Sequence, residues 1–432
     1  MAIPLTRSLQ LFQVARYAIW FALTVWLARI DPSKERISQY ESLVLLATTF
    51  SFFWVSGLFD SLIPLFRKSE ATLQPGLLGQ ALRGSMALSL LTALATFGVA
   101  QLRHPDLGVH LVLWFSLYQF FHLGSLALEH VWILRSRGGI LLGTGITYYM
   151  VLALELGVPL TLGMPLETAF VWMTGFAALR FVAQAILLRR EWLAPLPQGS
   201  RMLLLRAALP LSLAALLGGG ATYVDSNLVR AYFSNSEFVN FTYGARELPL
   251  ALLLANAISM VKSGEIAAAQ SLEERTLALQ SLRKAASNTL HWVFPVTLLL
   301  LCTSGWVIQR LLGEPYKGVE VIFDISLLLV IPRMIYPQAV VKAHLKGWML
   351  TGVSLGELAL NVVLSLVLLP HWGTAGIAVA TVVAYAAEKI FLAIYAKVKW
   401  GIGFGSYTPI LPWASYSLGL GMLFALKYLF WT

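Results

Sequence analysis

Arg16, Arg180, Arg246, Arg333 and Lys389 each stand near the middle of an apolar run of spanning length. The chemistry open to such a group is the binding of a strongly anionic ligand. An arginine fork can give two parallel hydrogen bonds to phosphate oxygens, and a lysine adds a point charge. A set of cations from both halves of the chain would suit a pyrophosphate headgroup if they met in one cavity. Acidic residues share these runs: Asp60, Glu129, Glu155, Asp225, Glu247, Glu357 and Glu388. Each charge facing lipid would cost at least about 2.5–3.5 kcal/mol, so most must face protein or a water-filled cavity. A plainer use of the same residues is ion pairing that stitches helices together, and the near balance of signs leaves both readings open. Arg246–Glu247 and Glu388–Lys389 are sequence neighbours. Neighbours diverge by about 100° around a helix, so they are expected to serve different surroundings rather than pair. Asp225 and Arg230 fall near one end of their run, within reach of water, which favours capping or pairing.

The elements that hold these residues are built for lipid. Hydrophobic residues make up 58% of the 432 and charged residues 12%, with a mean hydropathy of +0.73. Soluble domains carry roughly a quarter charged residues, so an ordinary globule is excluded. No polar stretch is long enough for a separate soluble domain. The net charge of +10 comes from scattered single residues; nucleic acid is not an expected partner. One cysteine, Cys302, allows no intramolecular disulfide, and no spacing suits a metal. No phosphate-binding Gly–Lys motif is present, so ATP hydrolysis is not expected. His122, His130 and His291 lie singly in apolar runs, where packing or a local hydrogen bond is the ordinary role. Neither a cofactor nor an enzymatic site is expected.

The hydropathy pattern predicts an all-α integral membrane protein with thirteen helices, near 7–29, 40–66, 77–101, 110–134, 139–163, 168–190, 204–230, 238–261, 287–310, 319–342, 348–369, 374–397 and 408–430. They group as a six-helix lobe over 1–190, a cytoplasmic link over 191–203, a second six-helix lobe over 204–398 and an extra helix within 399–432. Residues 264–285 have a helical pattern but are too charged to insert, and read as a cytoplasmic amphipathic helix. With a cytoplasmic N-terminus, 17 Lys and Arg fall inside and 8 outside, as the positive-inside rule requires. A weak repeat supports the two lobes: "DSLIPLFRKSE" and "ANAISMVKSGE" close the second and eighth helices. Parallel repeats with a substrate path between them are a common transporter plan. The tenth helix reads "LLLVIPRMIYPQAVV", with Pro332 and Pro337 around Arg333; bends there mark a candidate gate. Gly218–Gly220 in the seventh helix suit close packing.

Three stretches carry a family resemblance: "ESLVLLATTFSFFWVSGLFDSLIPLFRKSE", "PLSLAALLGGGATYVDSNLVRAYFSNSEFVNFTYGARELPL" and "LLPHWGTAGIAVATVVAYAAEKIFLAIYAK". They resemble the polysaccharide-biosynthesis (Wzx-type) flippases of the MOP superfamily. The resemblance implies two pseudo-symmetric six-helix bundles that alternate between inward- and outward-open states. It implies an oligosaccharide on an isoprenoid pyrophosphate as substrate, moved across a bacterial cytoplasmic membrane, with a polysaccharide polymerase and glycosyltransferases as candidate partners. By the same resemblance, Arg16 and Arg246 match cavity-lining basic positions; Arg180, Arg333 and Lys389 join the headgroup candidates by their mid-depth positions. The resemblance also makes Asp60 a candidate for coupling to protons or a cation, and Glu357, another acid within a span, is a second candidate. A thirteenth helix departs from the family's usual twelve or fourteen. Two other functions stay open: a multidrug-extrusion (MATE-type) cation-coupled antiporter, and a membrane scaffold for glycan synthesis.

Overall fold

The computed structural model describes residues 5–195, 200–245, 255, 258–259, 262–267, 269–344 and 347–430. Among these every long element is a helix, and nine helices are long and apolar enough to cross a membrane. The chain is a multi-pass membrane protein of all-α architecture. The difference from thirteen has four local causes. The seventh expected helix is bent at Gly218 and the eighth lies largely outside the described residues. The tenth is broken, and the eleventh and twelfth join in a hairpin at Gly373 as one element.

The chain divides into two compact units, Met1–Gly219 and Gly220–Thr432. The first holds α1 (Leu5–Ile30), α2 (Glu35–Lys68), α3 (Gln74–Arg103), α4 (Val109–Ser125), α5 (Ala127–Leu134), α6 (Gly138–Thr161), α7 (Leu166–Leu187), α8 (Arg189–Leu193) and the first part of α9 (Ser200–Tyr232). Small residues set its packing, as expected where lipid supplies no hydrophobic drive between helices. Gly145 and Gly157 of α6 lie directly under the rings of Phe12 and Trp26 of α1, and a Cβ at either would overlap them. Gly57 of α2 admits the backbone of Ala208 and Ser212 in the same way. That contact places the start of α9 with the first unit. The expected link at 191–203 therefore precedes the unit boundary, which falls within the glycine run of α9.

The second unit continues α9 into α10 (Asn235–Gly244), α11 (Leu272–Leu312), α12 (Val319–Leu327), α13 (Val330–Arg333), α14 (Pro337–Ala343), α15 (Gly347–Trp400), α16 (Phe404–Tyr407) and α17 (Ile410–Phe430). The separate amphipathic helix expected over 264–285 is not observed. Residues 262–267 form a short helical turn, and a Ser271–Glu274 capping box then starts a single helix of 41 residues. Nothing between 272 and 287 breaks it, and its buried stripe of Leu279, Leu282, Ala286, Leu290 and Phe294 runs on into the membrane face. The charged residues occupy the other face of the first turns.

Two breaks shape this unit. Asn361 and Thr381 of α15 are hydrogen-bonded at 3.1 Å although twenty residues apart. A straight helix would separate them by about 30 Å. The run therefore folds back on itself, at Gly373, whose φ of +57° and ψ of −139° are open only to glycine. The expected tenth helix is divided into α12, α13 and α14. Its longest interruption, Met334–Tyr336, directly precedes Pro337, which starts α14.

Candidate functional site

In the first unit α4 ends at Ser125, and α5 resumes after Leu126 with Glu129 in its first turn. Arg180 of α7 donates from Nη2 to Glu129 Oε1 at 2.8 Å, and the Tyr149 hydroxyl reaches the same oxygen at 3.3 Å. The Arg180 guanidinium lies 3.7 Å above the Tyr148 ring, whose hydroxyl bonds His122 Nδ1 at 2.8 Å. Arg180 is thus fixed on three sides. Its buried Nη1 has no hydrogen-bond partner among the described residues.

Arg16 of α1 has different surroundings. Its Nη2 donates to the Gln13 amide oxygen at 2.6 Å. Its guanidinium carbon is 5.6 Å from the Phe12 ring centre and 5.8 Å from that of Tyr149. Among the described residues it makes no ion pair. Two guanidiniums therefore flank the adjacent Tyr148 and Tyr149, one of them ion-paired. Arg246 lies outside the described residues.

The second unit repeats the theme six helices later. Lys389, on the second arm of the α15 hairpin, pairs with Glu388 at 2.7 Å. This corrects the expectation that sequence neighbours serve separate surroundings. Their Cβ atoms diverge, but a four-carbon lysine stem can curl back, and burial of both side chains favours pairing. The Lys389 ammonium is 4.4 Å from the Tyr385 ring centre, and the Arg333 guanidinium is 5.5 Å from it on the α13 side. Glu357 lies within electrostatic range of Glu388, Lys389 and Arg333. Pro332 is buried beside Arg333 in α13, and Pro337 opens α14. The cations thus form two clusters, {Arg16, Arg180} and {Arg333, Lys389}, each organised around tyrosine. Arg180 and Lys389 already hold carboxylates.

Of the two coupling candidates, Asp60 is exposed on α2, beside the His130 ring that stacks on Phe59 at 3.9 Å. Glu357 belongs to the tyrosine cluster of the second unit. A third acid was expected only to cap a helix end. Asp225 of α9 is 4% exposed and accepts from Thr381 Oγ1 at 2.5 Å, and Asn361 donates to the same hydroxyl. Asp225 Oδ1, Asn361 Oδ1 and Ser365 Oγ are buried without hydrogen-bond partners among the described residues. A buried carboxylate surrounded by neutral oxygen donors can hold a proton or a small hard cation. The sequence signal was present: Asn361 and Ser365 fall four apart, on one face of an apolar helix. No cluster of three His, Cys, Asp or Glu occurs among the described residues.

Sequence reasoning also missed Lys427 of α17. Its ammonium contacts Asp324 and Glu320, each at 2.6 Å, and Ser304 Oγ at 2.6 Å.

No protein-family model matches the chain, and no curated protein matches it in sequence. Solved structures do match in fold. A structure described as the lipid II flippase MurJ in an inward closed conformation superposes with a TM-score of 0.70 at 16% identity, over 97% of this chain and 92% of that one. An outward-facing MATE-family multidrug resistance transporter of the MOP superfamily gives 0.56 at 12% identity, over 91% and 94%. The eukaryotic MATE transporter AtDTX14 gives 0.57 at 10% identity, over 96% and 99%. The chain has the fold of MOP-superfamily transporters.

Proposed function

We propose that the protein flips an isoprenoid-pyrophosphate-linked oligosaccharide from the cytoplasmic to the outer leaflet of a bacterial cytoplasmic membrane by alternating access. The observation that carries this reading is Arg16: a membrane-embedded guanidinium held by an amide and two aromatic rings rather than a carboxylate. An arriving phosphate can displace the Gln13 amide oxygen and accept two charge-assisted hydrogen bonds, each worth about 1.5–3 kcal/mol. Arg180, anchored by Glu129, keeps the Tyr148–Tyr149 wall in place and adds positive field. Arg333 and Lys389 present a second cationic surface in the other unit, and Arg246, outside the described residues, is the fifth candidate by sequence. The fold shared with a lipid II flippase supports a lipid-linked substrate.

The test is surface-polysaccharide export in cells carrying Arg16→Ala or Arg246→Ala at normal protein levels. We expect export to fall at least about tenfold for Arg16→Ala, with part of it kept by Arg16→Lys. Unchanged export in both alanine variants would end the headgroup assignment.

A second reading, a MATE-type cation-coupled antiporter, draws on Asp225 and its neutral oxygen neighbours. It requires efflux of a cationic dye that is lost in Asp225→Asn. Absence of dye efflux alongside polysaccharide export that is lost in Asp225→Asn makes Asp225 a coupling acid of the flippase.

A further inference from the structure

Three contacts hold the short helix α8 against the rest of the first unit. Gly79 of α3 lies under the Glu191 carbonyl, and a Cβ there would overlap it. Arg83, one turn further along α3, donates from Nη1 to the Trp192 carbonyl. The Glu191 carboxylate pairs with Arg135, the residue that follows α5. Glu191 and the Trp192 backbone are thereby committed to the protein.

The remaining side chains of α8 face outward. Arg189, Arg190 and Leu193 are all exposed, Leu193 at 72%. Leu193 is four and three positions from the two arginines, so all three share one face of the turn. Directly before them, Ile186 and Leu187 in the last turn of α7 are exposed at 70% and 57%. The turn between α5 and α6, which supplies Arg135, adds exposed Arg137. Among the described residues neither Arg189 nor Arg190 has an ion pair. Glu191 is the only acid set against Arg135, Arg137, Arg189 and Arg190, and Arg135 already holds it.

Water gives no reason to expose leucine and isoleucine so fully, and acyl chains give none for adjacent guanidiniums. Both together suit the boundary between headgroups and acyl chains. A phospholipid presents both surfaces at once: chains for the aliphatic residues, and a phosphodiester for the arginine forks. The unbalanced positive charge selects an anionic headgroup over a zwitterionic one, whose own ammonium opposes the guanidiniums.

We propose that α8 is a binding site for anionic phospholipid. Arg189 and Arg190 hold the phosphate, Arg137 strengthens the field, and Ile186, Leu187 and Leu193 lie along the acyl chains. The contacts through Gly79, Arg83 and Arg135 make this a built site: they fix where the two free guanidiniums stand. In the orientation expected from the charge count, the lipid belongs to the cytoplasmic leaflet.

The test is native mass spectrometry of the full chain in detergent, titrated with phosphatidylglycerol and with phosphatidylcholine. Wild type is expected to hold phosphatidylglycerol more tightly. Arg189→Gln/Arg190→Gln, both at exposed positions, weakens phosphatidylglycerol by about tenfold or more and leaves phosphatidylcholine unchanged. Lys397→Gln/Lys399→Gln removes an equal charge from an exposed pair in the second unit and leaves both lipids unchanged. Gly79→Ala keeps every charge but displaces α8, and is expected to weaken phosphatidylglycerol as the arginine variant does. Unchanged phosphatidylglycerol binding in Arg189→Gln/Arg190→Gln overturns the site, and that variant decides the matter if Gly79→Ala does not fold. An equal loss in the lysine variant reduces the effect to net charge and overturns it too. Tight binding in a folded Gly79→Ala overturns the built platform, and displacement of the lipid by inorganic phosphate at equal concentration overturns the choice of a lipid.

Discussion

Arg16 and Arg180 illustrate how little residue type says about role. Both are guanidiniums on apolar helices in the neighbourhood of Tyr149, yet one holds an amide and the other a carboxylate. Among the described residues only the second is paired with a carboxylate. The pairing of Arg180 makes a separate expectation: Glu129→Gln leaves a buried guanidinium uncompensated and lowers stability by about 3–5 kcal/mol. Thermal unfolding in detergent measures it, and Glu129→Gln/Arg180→Met recovers most of the loss. Recovery with export still impaired would show that Arg180 also serves the substrate. At this scale the sequence identified the charged residues correctly but not their partners. Glu388 and Lys389 show why: helical projection fixes where Cβ atoms point, whereas the end of a long side chain is placed by burial and by whatever charge it can reach. Asp225 shows the same limit, since its partners Thr381 and Asn361 arrive from positions more than a hundred residues away.

Among the elements, α15 depends on a single backbone conformation. Gly373→Ala has room for its methyl, with Phe233 at 3.7 Å, so the cost is that of the left-handed backbone alone, about 1–3 kcal/mol. We expect a lower unfolding temperature of that order, and loss of the Asn361–Thr381 contact if the hairpin reopens. A stability equal to wild type would mean that the turn is made elsewhere. The tenth helix was legible as broken, because proline in a helix removes a donor and clashes with the preceding turn. The capping of α11 was less so. Ser271 and Glu274 are a capping pair in plain sight, but the charges after them suggested an interfacial helix. The buried leucine stripe, running unbroken from Leu279 to Leu301, decides for continuity.

For the whole molecule, the expected orientation has a direct consequence. Thirteen passes from a cytoplasmic N-terminus put the C-terminus outside, so a C-terminal alkaline phosphatase fusion should be active and a fluorescent-protein fusion dark. The opposite pattern would remove one pass or invert the chain. The all-α membrane class and the presence of charged residues on apolar helices could be read from the sequence. Hydropathy, period and the cost of burying charge are local quantities, each evaluated along the chain without knowing what lies across from it. The buried oxygens around Asp225 and the carboxylate partners of Arg180 and Lys389 were decided by tertiary structure alone. In lipid a polar atom must find its partner within the protein, and which partner it finds depends on which helices are brought side by side.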